Sequence, residues 1–291
     1  MIRTLIRPSL LLACVLASGC GPAPVEPAPS PQGTHTQALR WPRWIRIAAA
    51  DIKGAAQGAE LGGAIGGIAG PEGAVIGSVV GAVVLGAQAS IEAASRQTTT
   101  DGVISGSRAT IDPSNARNPF DHVGQHHNEV LDQQVSIIGP GGCIPNPFPF
   151  PFPRDRTQGP LWDYALKTLN SPPEALKDPK FEEGWHDSLD FVAAAEEEEI
   201  EASIQNRVKS GKMAPAVGEQ LISYFTAVAP LDTDRLIETT KSFEEKTLTA
   251  KELAEEDRRT LLSAFSVARY SAVYWAEQAA LKDASPWCGC K

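Results

Sequence analysis

The sequence predicts an all-α protein: a glycine-rich helical hairpin and a C-terminal helical bundle, joined by a Pro-rich irregular connector. Three observations carry that expectation. Glycines recur at every fourth residue through much of residues 54–81. In the last third, apolar residues repeat at helical spacings, as in Val217, Leu221, Phe225 and Val228, which puts them on one face. No stretch shows the alternation expected of a strand pair.

The chain opens on "MIRTLIRPSLLLACVLASGC". Arg3 and Arg7 precede a short apolar core and then small residues, the order of a secretory signal, and the core is too short to span a bilayer. Leu16-Ala17-Ser18-Gly19 followed by Cys20 resembles the lipobox of bacterial lipoproteins. That resemblance implies a signal peptide over 1–19, cleavage before Cys20 and acylation of its thiol. Gly21 is not the Asp that holds such proteins at the inner membrane, so the outer membrane is implied, with the body periplasmic or surface-exposed. An ordinary secretory signal with an incidental Cys is the alternative. Residues 20–43 are dense in Pro and read as an extended tether.

Loss of Arg3 and Arg7 would leave 24 basic against 35 acidic residues, a net charge of about −11. Such a balance argues against nucleic acid or anionic lipid headgroups as general partners. The expected contacts are the membrane, through the N-terminal lipid, and a protein partner in the envelope. Composition gives no oligomeric state. Of the remaining cysteines, Cys143, Cys288 and Cys290 offer one disulfide in an oxidising compartment and leave one thiol over.

Residues 44–95 read as the hairpin. Gly54, Gly58, Gly62, Gly66 and Gly70 share one face of the first helix; Gly73, Gly77 and Gly81 share one face of the second. Smooth faces of this kind let two backbones approach closely. Pro71-Glu72-Gly73 reads as the turn. Nineteen residues from Gly73 to Ile91 carry no charge; as a helix they would extend about 28 Å, close to a bilayer core. Two settings therefore stay open for the hairpin: packed on the protein's own helices, or inserted in lipid. Lys53 and Glu60 make the first half less suited to lipid.

Residues 96–160 form the connector. Asn118-Pro119 with Asp121 predicts a helix over about 118–135, capped by Asn118. Further on, Phe148, Phe150 and Phe152 alternate with Pro in a strap-like segment. Residues 161–291 read as a helical domain with a Cys-rich tail. Leu189, Val192, Ile200, Ile204 and Val208 mark one helix, Thr249 with Glu252 fits a capping box, and a long last helix runs over about 255–283.

Two motifs accompany the glycine block. "NPFDHVGQHHNEVLD", Asn118–Asp132, and "LLSAFSVARYSAVYW", Leu261–Trp275, together resemble a family of uncharacterised bacterial proteins. The resemblance covers most of residues 47–275 and implies no activity. Chains of this kind sometimes carry a bacteriocin-like label, which rests on glycine composition.

Chemistry-bearing constellations are few. His122 and His126 stand four apart with Glu129 beside them, a spacing that can place metal ligands on one helix face. The Glu of an HExxH motif and an obvious third imidazole are both missing. His127 and Asn128 read as structural polar residues, and Arg269 as a buried cation needing a carboxylate such as Asp121. "SGKM" lacks the glycines and the Ser/Thr of a phosphate loop, and no G-x-S-x-G elbow occurs. No catalytic residue and no cofactor is assigned. The leading expectation is a lipid-anchored envelope protein with a structural or interaction role. A membrane-inserting or toxin-like protein is the alternative, and a metal-dependent enzyme a weaker one.

Overall fold

Two glycine columns meeting face to face set the geometry of the fold. The computed structural model describes residues 43–67, 70–96, 109–138 and 200–284, with Lys167, Gly184, residues 186–188 and Phe191. The signal, the tether, the Phe strap, Cys20, Cys143, Cys288 and Cys290 lie outside these residues. Among the described residues all regular structure is helical, in an all-α fold.

The hairpin consists of α1 (Arg43–Gly66) and α2 (Pro71–Arg96). Gly58 opposes Gly81, Gly62 opposes Gly77 and Gly66 opposes Gly73; a Cβ on the first of each pair would fall on the second's carbonyl oxygen. Gly54 abuts the Leu85 carbonyl in the same way. Four residues forward on α1 match four back on α2, so the helices are antiparallel in one register. Each helical Gly costs about 1 kcal/mol relative to Ala. Backbone contact along the whole seam offsets this through dispersion and Cα–H···O contacts.

Gly70 departs from the expected column. With φ at +102° it makes the turn, donating its N–H to the Gly67 carbonyl and accepting from the Ala74 N–H, both at 3.0 Å. An L side chain there would meet nothing within 4 Å, but the backbone angle itself favours Gly. Pro71 then takes the first helical position, where its missing N–H is harmless. Gly86, spaced by five instead of four, faces α3, where a Cβ would lie 3.0 Å from the His127 ring.

The third helix, α3 (Asp121–Ile138), begins three residues after the expected cap. Asn118 still serves the helix start, its Oδ1 accepting from the Phe120 N–H at 2.8 Å. Four more helices follow: α4 (Ile200–Lys209), α5 (Pro215–Val228), α6 (Thr233–Thr249) and α7 (Glu255–Ala284). α5 buries Val217, Leu221, Phe225 and Val228, the stripe read from the sequence. Asp232 caps α6 by accepting from the Arg235 N–H at 2.9 Å.

Thr249 does not open a helix as the capping-box spacing suggested. It closes α6, its Oγ1 donating to the carbonyls of Glu245 and Lys246. The turn to α7 is held by Arg258, which donates to the carbonyls of Ala250 at 2.7 Å and Leu253 at 3.2 Å. Those bonds satisfy carbonyls that the end of a helix leaves free.

The core gathers on α7, against which α1, α3 and α6 all pack. Tyr224, Phe243 and Phe265 stack their rings there with centroids 5.0–5.9 Å apart. α3 crosses α7 at Gly124, whose missing Cβ leaves room for the Tyr270 ring and the Ser266 carbonyl. Residues 47–59 of α1 are buried on every side. The first hairpin helix is thus a core helix of the body.

Candidate functional site

Three clusters of bonded polar side chains lie inside the described part of the molecule. The first surrounds Arg269, which is fully buried on the inner face of α7. Its Nη2 donates to Asp121 Oδ1 at 2.5 Å and to Glu244 Oε1 at 2.8 Å, and its Nε to the same Glu244 oxygen at 3.1 Å. Glu244 also accepts from Asn115 and Asn118, each at 2.6 Å. The Tyr270 hydroxyl donates to Asp121 Oδ2 at 3.1 Å and accepts from Gln125 at 2.9 Å. Asp121 is the carboxylate the sequence suggested. Glu244, a deeper partner on α6, was missed. A signal was present, because Glu244 falls on the same helix face as Leu236, Ile237, Thr240 and Phe243.

A second cluster lies where α1, α2, α3 and α7 meet. Asp51 is fully buried and accepts a hydrogen bond from Ser271 Oγ at its Oδ2, while its Oδ1 has no partner. The Trp275 indole N–H beside it donates to Ser90 Oγ at 2.8 Å. Burial in this apolar setting pushes the Asp51 carboxyl up to about 8, because desolvation disfavours the charged form. His127 is equally buried, and desolvation lowers it to about 4, so it is neutral at ordinary pH. Its Nδ1 lies 3.0 Å from Asn128 Oδ1, and Asn128 Nδ2 donates to the Tyr270 carbonyl at 2.9 Å. His127 and Asn128 therefore link α3 to α7. Asp51, His127 and Ser271 are residue types of nucleophilic chemistry; Ser271 bonds to Asp51 and His127 to Asn128, while Asp51 Oδ1 and His127 Nε2 have no partner among the described residues.

The third cluster ties α1 to α4 and α5. Lys53 Nζ donates to Ser203 Oγ at 2.7 Å and sits 4.0 Å from the Phe191 ring centroid. Arg207 covers the same ring, donates to Gln57 Oε1 at 2.6 Å and pairs with Asp187 at 2.7 Å. Glu60 accepts from Gln57 at 3.1 Å and from the Ala214 N–H at 3.3 Å; burial raises its carboxyl above the usual range. Nothing in the sequence shows that Asp51, Lys53, Gln57 and Glu60 are bonding residues. They read there as polar residues interrupting an apolar run.

The histidine cluster sits apart, on the outer side of α3. His126 Nδ1 is 3.0 Å from Glu129 Oε2, and the His122 and His126 rings meet edge to face with centroids 5.9 Å apart. Among the described residues no group of three or more His, Cys, Asp or Glu is placed to hold a metal ion. The i, i+4 spacing brings His122 and His126 together without converging their nitrogens with Glu129 on one point. Comparison with protein-family models, with curated proteins and with solved structures finds no match to this chain.

Proposed function

We propose that this protein is a lipid-anchored component of the bacterial envelope, held at the outer membrane through Cys20, with a structural or interaction role and no catalysis. The observation that supports this best is the state of α1. Its Asp51, Gln57 and Glu60 bond to Ser271, Arg207 and Ala214 respectively, and Lys53 bonds to Ser203. The hairpin is thereby built as the core of a folded body. Its tip stays bare: Val75 and Ile76 are 39% and 43% exposed, next to exposed Ala64 and Gly67. Two large apolar side chains on a tip that also exposes Glu72 suit contact with a protein partner. Palmitate labelling and liposome flotation test this reading. Label and vesicle retention should both be lost in Cys20→Ser; label that persists in Cys20→Ser would refute the anchor.

The second reading is a membrane-inserting or bacteriocin-like hairpin. Pro71–Ile91 is long and apolar enough to cross a membrane, although most of it is buried inside the body. Insertion of both helices would separate Lys53, Gln57 and Asp51 from their partners and carry them into hydrocarbon, at a cost of several kcal/mol. Retention of the non-acylated chain by vesicles through residues 44–95 would favour this reading over the first.

A further inference from the structure

α1 and the residue just past its end carry a second, shorter glycine column beside the one that packs on α2. Gly63 and Gly67 stand one position beyond Gly62 and Gly66, and the backbone is no closer than ordinary contact, the Ala74 carbonyl oxygen lying 3.7 Å from a Cβ on Gly63. A Cβ on Gly67 would meet only the Ala74 Cβ at 3.9 Å, and one on Gly63 would lie 3.6 Å from Arg259 Nη2. The same Cβ on Gly63 would be 2.5 Å from Ser78 Oγ, so the bare column admits that hydroxyl and faces the guanidinium.

The run of α7 past α1 places a third residue here. Asp51 bonds to Ser271 at one end and Gly63 lies beside Arg259 at the other. The helices are therefore antiparallel, and Ser263, one turn along from Arg259, shares its side of α7. Ser78 and Ser263 are at most 1% exposed. Ser78 Oγ, Ser263 Oγ and Arg259 Nε are all buried without a hydrogen-bond partner. Arg259 has no ion pair with any described residue, whereas Arg258 beside it is paired with Glu255 at 2.8 Å.

A buried donor without an acceptor is costly, and a charged one more so. Ser78 Oγ and the Arg259 guanidinium meet at the Gly63 patch, with Ser263 one turn along α7 from Arg259, and such donors match a ligand that brings several acceptor oxygens and negative charge. We propose that Arg259, Ser78 and Ser263 form a binding site for a phosphate-type oxyanion near the tip of the hairpin. The anion enters past the half-exposed Arg259, is held by its Nε and Nη2, and receives the Ser78 and Ser263 hydroxyls from the inner side. It comes either as free phosphate or as a phospholipid headgroup whose acyl chains meet Val75 and Ile76. The site does not depend on the lipid anchor.

Calorimetric titration tests it on the purified full chain in a phosphate-free, non-ionic detergent. The probes are inorganic phosphate and short-chain phosphatidylglycerol. Saturable binding is expected, weakened at least about tenfold in Arg259→Gln, as loss of a charge-assisted bond implies, and less in Ser78→Ala. The Arg259→Gln chain should melt as the parent does without ligand, since it gives up no ion pair with any described residue. Tighter binding of the lipid, lost in the Val75→Ser/Ile76→Ser chain, identifies the headgroup as the source; equal affinity for both probes identifies free phosphate. Absence of saturable binding by either probe overturns the proposal, because internal water would then satisfy the donors. Undiminished binding in Arg259→Gln overturns it as well.

Discussion

Arg269 Nη2 donates to Glu244 Oε1 at 2.8 Å with both side chains fully buried, and this bond joins α7 to α6. The attraction inside such a pair is largely offset by desolvation of its two charges. Its consequence is geometric, because Asn115, Asn118 and Asp121 converge on the same two groups and hold the start of α3 in place. Removing Arg269 leaves Glu244 as a buried charge with no counter-ion, and removing the Glu244 charge leaves Arg269 with Asp121 alone. Arg269→Met or Glu244→Gln alone should therefore cost about 3–5 kcal/mol in urea unfolding. The double variant Arg269→Met/Glu244→Leu should cost clearly less than the two singles added, since neither charge is then left alone. Additive costs would show that the pair is not coupled as described.

The buried acid and the buried imidazole give stability two opposite pH limbs. Asp51 is raised to about 8 in the fold, against about 3.9 in an unfolded chain. The folded state thus holds the extra proton, and the stability this confers is complete below pH 4 and lost as pH rises through 8. His127 is lowered to about 4, so its contribution is complete above about pH 6.5 and lost as pH falls towards 4. Denaturation midpoints measured from pH 4 to 9 should fall at both ends. Asp51→Asn should flatten the alkaline limb and His127→Gln the acid one; a profile unchanged by both would rule out this assignment.

Backbone contact makes the zipper glycines intolerant of a single methyl group. Gly58→Ala and Gly62→Ala place a Cβ on the carbonyls of Gly81 and Gly77, so the helices must part along the seam. Loss of at least about 3 kcal/mol is expected, the upper end for overpacked cores. Gly67→Ala, with only a 3.9 Å contact to Ala74, should change stability by less than about 0.5 kcal/mol. Thermal melting of the three variants ranks them directly. Equal effects would mean that the two glycine columns do not differ.

The hairpin was legible because its evidence is periodic: four-residue spacing fixes a face, and Pro71 fixes where the chain reverses. The α5 stripe and the length of α7 could be read for the same reason. What surrounds α1 was not legible. Lys53, Gln57 and Glu60 point to Ser203, Arg207 and Ala214, all about 150 residues away in the chain, and no local pattern encodes such partners. Gly70 was assigned to the packing column because it kept the interval, although spacing cannot distinguish a contact from a turn with positive φ. His122 and His126 show the same limit, since i, i+4 spacing sets proximity and leaves ring orientation free.

Lys53 separates the two settings of the hairpin, because water and lipid predict opposite effects for one substitution. In the docked body Lys53 lies beside Ser203 and over the Phe191 ring. Met at this position has similar volume and no charge to desolvate. Ser203 keeps its bond to the Ile200 carbonyl at 2.9 Å, so no new orphan is created there. Lys53→Met should change stability by less than about 1.5 kcal/mol, as volume-conserving swaps do, and leave the non-acylated chain unbound by vesicles. If the hairpin instead enters lipid, loss of this charge removes about 3 kcal/mol from the insertion cost. Vesicle retention of Lys53→Met would then rise far above that of the parent. Flotation of the two chains side by side, both without the Cys20 lipid, decides between the settings.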